Sequence, residues 1–273
     1  MLKQLFHITR QPVENWDTNV LLIEAGEDYC CFAEGNDEAK ILSEISYNTF
    51  DKFLFKESIE ALLKSLKELD RTYTKVVLCT AFPQALLTPK KLYQPEESNQ
   101  LLNVVYGMDS NKVMHDEIEL WQIVNLYSVP QQLYEAITSH FPSATFIHEY
   151  TVALRDLTRF SDDDQIAIHF TSSSFRVKVK RGRQLLLVQT FSYSSPLDVV
   201  YVLLKVCNEF ELLQENVHII LSGLIEEDSA LYKEIYNYFL HLQFAATPDN
   251  ALNGHQYPQH YFTSLYNLAA CVL

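Results

Sequence analysis

The chain has 273 residues, 48% of them hydrophobic, which suffices for one large domain or two ordinary ones and excludes wholesale disorder. A net charge of −14 repels phosphate backbones and anionic membranes, so the sequence predicts no nucleic-acid partner. No run approaches the roughly 20 apolar residues of a membrane span, and the opening Met1-Leu-Lys-Gln-Leu-Phe-His7 lacks the apolar core of a secretion signal.

Residues 1–18 are mixed and polar, with Trp16 as the one large anchor, read as packing. Asn19–Ile23 and Tyr29–Ala33 read as a hairpin about the turn Ala25-Gly26-Glu27-Asp28. Gly35-Asn36-Asp37 reads as the next turn and Lys40–Ile45 as a third strand. Ile59, Leu62, Leu63, Leu66 and Leu69 then share one helical face, which predicts a helix over about 52–70. Lys75–Thr80 reads as a buried strand. Pro83 and Pro89 exclude regular helix through 81–94. A helix is expected over 96–106, a polar loop over 107–116 and a strand over 118–126. Ser128-Val-Pro-Gln131 has the form of a capping box that opens a helix through Leu133, Ile137 and Phe141. Thr145–His148 reads as a strand and Glu149–Arg159 as a helix.

The second half repeats this order. Asp162-Asp163-Asp164 could hold a divalent cation or form a solvated loop, and the solvated reading is adopted. Ile166, Ile168 and Phe170 point one way along a strand, with Ala167 and His169 opposite. Val177 and Val179 point inward on the next strand, with Arg176, Lys178 and Lys180 outward, and Gly182 turns the chain into Gln184–Phe191. Ser195, Pro196 and Asp198 take the N-cap, first and third positions of a helix whose two apolar stripes, one of them Leu197, Val200, Tyr201, Leu204 and Cys207, predict burial between layers. A strand over 217–222, a helix over 229–240, a strand over 243–246 and a last helix near 261–270 complete the chain. Both halves read strand, strand, strand, helix, strand. That predicts two lobes, 1–150 and 151–273, each with a mixed sheet and flanking helices.

Five cysteines are an odd number at irregular spacing. Cys30 and Cys31 are neighbours on opposite faces of a strand, and Cys79, Cys207 and Cys271 sit in apolar runs. Buried free thiols, no metal site and a reducing, cytoplasmic compartment are expected. His255 and His260 have no ligand partner at metal spacing and read as surface loop. The 16 Tyr and 16 Phe are read mainly as packing.

This order of elements resembles the actin, sugar-kinase and Hsp70-type ATPase superfamily, an α/β fold duplicated from an RNase H-like unit. Within it the chain resembles the type IV pilus protein PilM and its relatives. The helix from Asp198 and the strand His218-Ile-Ile-Leu-Ser-Gly223 also resemble an uncharacterised Bacteroidetes family, domain-of-unknown-function family 3822. The superfamily resemblance implies three nucleotide motifs, and each is altered here. The first hairpin, which carries Asp-x-Gly in the superfamily, is Glu24-Ala-Gly26-Glu-Asp28, with negative charge where phosphate would lie. The second, Asp-x-Gly-Gly-Gly-Thr in the superfamily, is His169-Phe-Thr171-Ser172-Ser173-Ser174, without the acid that organises magnesium and without glycine. The adenosine motif keeps Gly223 alone of two glycines.

Three altered motifs together predict a protein without cofactor that binds a protein or peptide partner, the cleft between lobes being one place for it. The alternative is an atypical enzyme using ATP with magnesium through the same positions. Lys178, Lys180, Arg181 and Arg183 cluster on one hairpin, as a dock for an acidic partner or as a solvated face.

Overall fold

Lys3–Thr9 is a strand, β1, where the sequence predicts only mixed polar chain; its signal is faint, since Phe6 and Ile8 alone turn inward. The computed structural model describes residues 2–9, 19–36, 41–68, 72–107, 111–155, 163–246, 248, 251–252 and 254–272. Trp16, Asp37, Lys40, Leu69, Asp70, Arg159 and Asp162, all used in the sequence reading, lie outside these. The chain divides into two units, one of Met1–Arg155 with Asn250–His255 and Asn267–Leu273, the other of Asp156–Asp249 with Gln256–Tyr266.

In the first unit β2 (Asn19–Ala25), β3 (Tyr29–Asn36), β4 (Ile41–Thr49), β5 (Lys75–Thr80) and β9 (Thr145–His148) join β1 in a mixed sheet of order β1-β4-β3-β2-β5-β9. Every residue from Val20 to Ala25 is buried, as a central strand covered on both faces requires. Strand β3 runs on through Gly35 and Asn36, where the sequence suggests a turn, and absorbs the irregularity as a bulge between Glu34 and Gly35. Helix α1 (Phe55–Glu68) packs Ile59, Leu62, Leu63 and Leu66 as its periodicity predicts.

Between β5 and β9 lie β6 (Ala85–Pro89), α2 (Ser98–Tyr106), β7 (Lys112–Ile118), β8 (Ile123–Val129) and α3 (Gln131–His140). The three strands form a separate sheet, β6-β8-β7. Here the expected polar loop over 107–116 and single strand over 118–126 are wrong. A hairpin turns at Glu119–Gln122, with Gln122 left-handed at φ 52°. That turn holds no glycine, proline or asparagine, so nothing in its composition marks it. The expected capping box does not form either. Ser128 is paired into β8, and α3 starts after Pro130 without a side-chain cap.

In the second unit β10 (Gln165–Phe170), β11 (Ser174–Arg181), β12 (Gln184–Ser192), β13 (His218–Gly223) and β14 (His241–Phe244) make a sheet of order β12-β11-β10-β13-β14. Set against β4-β3-β2-β5-β9, this is the same order strand for strand. Helices α5 (Pro196–Glu209) and α6 (Ala230–Tyr236) lie against it, and α4 (Glu149–Arg155) and α7 (Thr263–Val272) follow the last strand of each repeat. The capping box at Ser195 and Asp198 does form: the Asp198 carboxylate accepts from the backbone N–H of Ser194 and Ser195, and these bonds hold its carboxyl below the usual range.

The core of this unit is Ile166, Ile168 and Phe170, Phe175, Val177 and Val179, Ile219 and Leu221, with Val199, Leu203 and Val206 of α5. Each such side chain contributes about 1.5–3 kcal/mol on burial. The second stripe of α5 departs from expectation, since Leu197 and Tyr201 are exposed.

Gly223 (φ 77°) ends β13 where a Cβ would meet the Phe170 carbonyl oxygen at 2.1 Å. Gly107 (φ 67°) would meet nothing within 4 Å. Gly223→Ala is therefore expected to cost more than about 2 kcal/mol in chemical denaturation, combining backbone strain with a backbone clash. Gly107→Ala should cost only about 1–2 kcal/mol, for the strain alone.

Candidate functional site

The two repeats align residue by residue at their first hairpins. Gly26 N–H donates to Tyr29 O as Thr171 N–H donates to Ser174 O, and Ala81 N–H donates to Ala25 O as Leu224 N–H donates to Phe170 O. Glu24 faces Cys79 across the parallel pair as His169 faces Ser222. Glu24 and His169 are thus equivalent positions, each one residue before the end of a central strand.

In the first hairpin Glu24 is 2% exposed and its Oε1 accepts from the Tyr29 hydroxyl at 2.8 Å. The Tyr29 ring stacks on Tyr47 with centroids 5.4 Å apart and lies over Gly26, where a Cβ would meet it at 2.3 Å. Burial, then the adjacent Glu24 carboxylate, raises the Tyr29 hydroxyl well above its usual value, so it stays a donor. The glycine that survives here thus makes room for the protein's own aromatic ring. Sequence reasoning missed Tyr29, because a strand tyrosine carries no signal of where its ring folds.

In the second hairpin His169 is 6% exposed. Ser222 Oγ donates to Ile168 O at 3.1 Å, which leaves it to accept from His169 Nδ1 at 3.0 Å. Burial, with lesser contributions from Arg176 and His260, lowers the imidazole to about 3. The ring is neutral at neutral pH. The turn closes on its own hydroxyls: Thr171 Oγ1 lies 2.8 Å from Ser174 Oγ and accepts from Ser174 N–H at 3.2 Å. Tyr193 seals it, donating its N–H to Ser173 O and its hydroxyl to Thr171 O. Ser172 and Ser173 are exposed at the tip. At the third position Gly223 makes room for Phe170 of the neighbouring strand.

The basic hairpin is not one surface. Lys180 is 7% exposed, although the sequence places it facing out, Arg181 donates to Phe210 O and lies 3.9 Å from the Asp164 carboxylate, Lys178 is half-buried, and Arg183 is exposed. Among the described residues no group of three or more His, Cys, Asp and Glu could hold a metal. His260 Nε2 donates to Ile225 O and the ring stacks on Phe244 with centroids 4.1 Å apart, which is packing. All five cysteines are free; four are buried, and burial pushes the Cys207 thiol up to about 11.

Three features were not legible beforehand. Asp116 of β7 accepts from His148 N–H, the Thr151 hydroxyl and the Tyr127 hydroxyl, and so ties the small sheet to β9 and α4. A cavity of about 370 Å³ is lined by His7, Glu34, Glu44, Asn48 and Leu66 among others, with His7 Nε2 3.6 Å from Glu44. Helix α2 buries Leu102 but exposes Leu101, Val104 and Val105, Val104 to 79%. Spacings of three and four put these three on one face.

The duplicated order and the paired hairpins define an actin-like ATPase fold. The chain belongs to the family described as protein of unknown function DUF3822, which matches residues 13–242. It is similar to a protein of actin-like ATPase fold and unknown function from Bacteroides thetaiotaomicron, at 18% identity and TM-score 0.78 over 94% of this chain and 97% of that one. It is also similar to the PilM–PilN type IV pilus biogenesis complex (14% identity, TM-score 0.61, 92% of this chain and 98% of that one). A third similarity is to the ethanolamine utilization protein EutJ from Carboxydothermus hydrogenoformans (9% identity, TM-score 0.53, 96% and 92%). No curated protein matches. Among the described residues no helix is long and apolar enough to cross a membrane.

Because His169 is held neutral when folded and binds a proton near pH 6.5 when unfolded, the unfolded state takes up more protons as pH falls. Stability is expected to be full above about pH 6.5 and to fall by about 1.4 kcal/mol per pH unit towards the folded value. His169→Gln should remove that slope between about pH 6 and 4, read by urea denaturation at each pH.

Proposed function

We propose that this chain is a non-enzymatic, actin-like protein that keeps an ATPase fold as a scaffold and binds a protein or peptide partner, with neither ATP nor magnesium as cofactor. Its free thiols suit a reducing, cytoplasmic compartment. The observation that carries the reading is the fate of the two equivalent strand-end positions. Glu24 and His169 are buried and hydrogen-bonded to Tyr29 and Ser222 of their own units. The serine turn is closed by Thr171, Ser174 and Tyr193, and Gly26 and Gly223 each accommodate an atom of the chain itself.

The exposed face of α2 supplies the partner surface, since a helix that shows Leu101, Val104 and Val105 to water has an apolar strip to cover. The basic hairpin serves it less well, because Lys180 is buried and Arg181 is bonded to Phe210 O. A fold neighbour solved as the PilM–PilN complex supports a scaffold role by analogy.

Thermal melts with millimolar ATP and magnesium should leave Tm unchanged; a ligand at 100 times its Kd would add about 2.7 kcal/mol, so a dose-dependent rise overturns the reading. Val104→Glu should leave Tm within about 2 °C, as an exposed substitution does, and remove the proteins that the wild-type chain captures from native lysate. Identical captures by both chains would move the partner surface away from α2.

A further inference from the structure

We propose that β12 pairs edge to edge with the β12 of a second copy of this chain. The three described sheets have six edge strands. Natural proteins blunt such edges with charge, proline, shortness or a bulge. Strand β1 carries Lys3, β6 carries Pro89, and β7 carries Lys112, Asp116 and Glu117, while β9 and β14 have four residues each. Strand β12 is Gln184-Leu-Leu-Leu-Val-Gln-Thr-Phe-Ser192, nine residues with neither a charge nor a proline; its pairing with β11 slips at Leu186, and Leu187–Ser192 run in regular register. Its Leu185, Leu186, Leu187 and Phe191 are half-buried. Left bare, a strand of this composition and length templates aggregation.

The duplication shows what this slot takes. Strand β12 of the second repeat corresponds to β4 of the first. The outer edge of β4 holds β1 antiparallel, from Lys3 opposite Thr49 to Thr9 opposite Glu44. Among the described residues the second repeat has no such strand in its sheet. Tyr193 N–H bonds inward to Ser173 O, and Ser174 faces Ser192, so by antiparallel alternation the N–H and C=O of Val188 point away from β11.

A second β12 is the occupant that this strand fits. Antiparallel self-pairing centred on Val188 sets Leu187 opposite Gln189 of the other copy, clear of the bulge at Leu186. No charge meets a like charge, because the strand has none. The pairing is two-fold symmetric, so it closes as a dimer and consumes the uncharged edge, and the two five-stranded sheets become one continuous sheet.

Sedimentation over about 1–100 µM should show a two-chain species in the wild type. Gln189→Lys changes an exposed residue and sets an ammonium opposite Leu187 of the second copy. It should raise the dissociation midpoint about tenfold or more while leaving the circular-dichroism melt in place. Val188→Cys is nearly isosteric and lies on the symmetry axis, where a hydrogen-bonded pair has Cα atoms about 5.5 Å apart, within disulfide reach. Under mild oxidation it should give a reductant-sensitive dimer that the wild type, with four of its five cysteines buried, does not. A chain that stays monomeric throughout overturns the proposal, as it would if the edge served a foreign strand. A dimer unmoved by Gln189→Lys and untrapped by Val188→Cys overturns it equally.

Discussion

The rest of the structure depends on one constraint: strands β2 and β10 are each flanked by an antiparallel neighbour on one side and a parallel one on the other. A strand so placed lies inside its sheet, and any polar side chain buried on it must find its partner inside the protein. Val20 to Ala25 are all buried, and so are Ile166 and Ile168 to Phe170. Glu24 and His169 sit near the ends of these strands. The Tyr29 hydroxyl and the Ser222 hydroxyl answer that requirement. Losing the Ser222 hydroxyl would take the bond from the buried His169 Nδ1, at about 1–3 kcal/mol. The positions that the superfamily resemblance assigns to magnesium and phosphate are thereby bound into the stability of the sheet.

The glycines carry the same lesson. One glycine in the first hairpin and one after β13 look, on the page of the sequence, like remnants of a nucleotide site. The space beside each is taken by the chain itself, the Tyr29 ring in one case and the Phe170 carbonyl in the other. A glycine retained for such a contact would persist whether or not any nucleotide ever bound.

Much of the fold was legible because its strong signals are local. Helices α1 and α5 follow their 3.6-residue periodicity, β5 and β9 their short apolar runs, and the Ser195–Asp198 cap its spacing. The insertion between β5 and β9 was not. Its hairpin turns on Glu119–Gln122, residues with no preference for a turn, and Ser128, with the spacing of a helix cap, is taken into β8 by pairing with β6 and β7. The site was legible in identity and not in consequence. The superfamily resemblance pointed to Glu24, His169 and the serine turn, but only coordinates show that Tyr29 and Tyr193 close over the turns, because both reach them from outside the motifs. The same holds for Lys180: alternation gives the face it occupies and says nothing of what lies above that face.

The division of the chain has a consequence for biosynthesis. Residues Asn250–His255 and Asn267–Leu273 belong to the same unit as Met1–Arg155, and the Lys75 ammonium donates to the carbonyl of Val272. A ribosome therefore releases the last pieces of the first unit only after all of β10 to β14. The second unit's sheet is fully synthesised while the first still waits for its closing segment, so the order of maturation runs against the order of synthesis. Nascent chains would spend that interval with an incomplete N-terminal unit, the state in which a chaperone has most to cover.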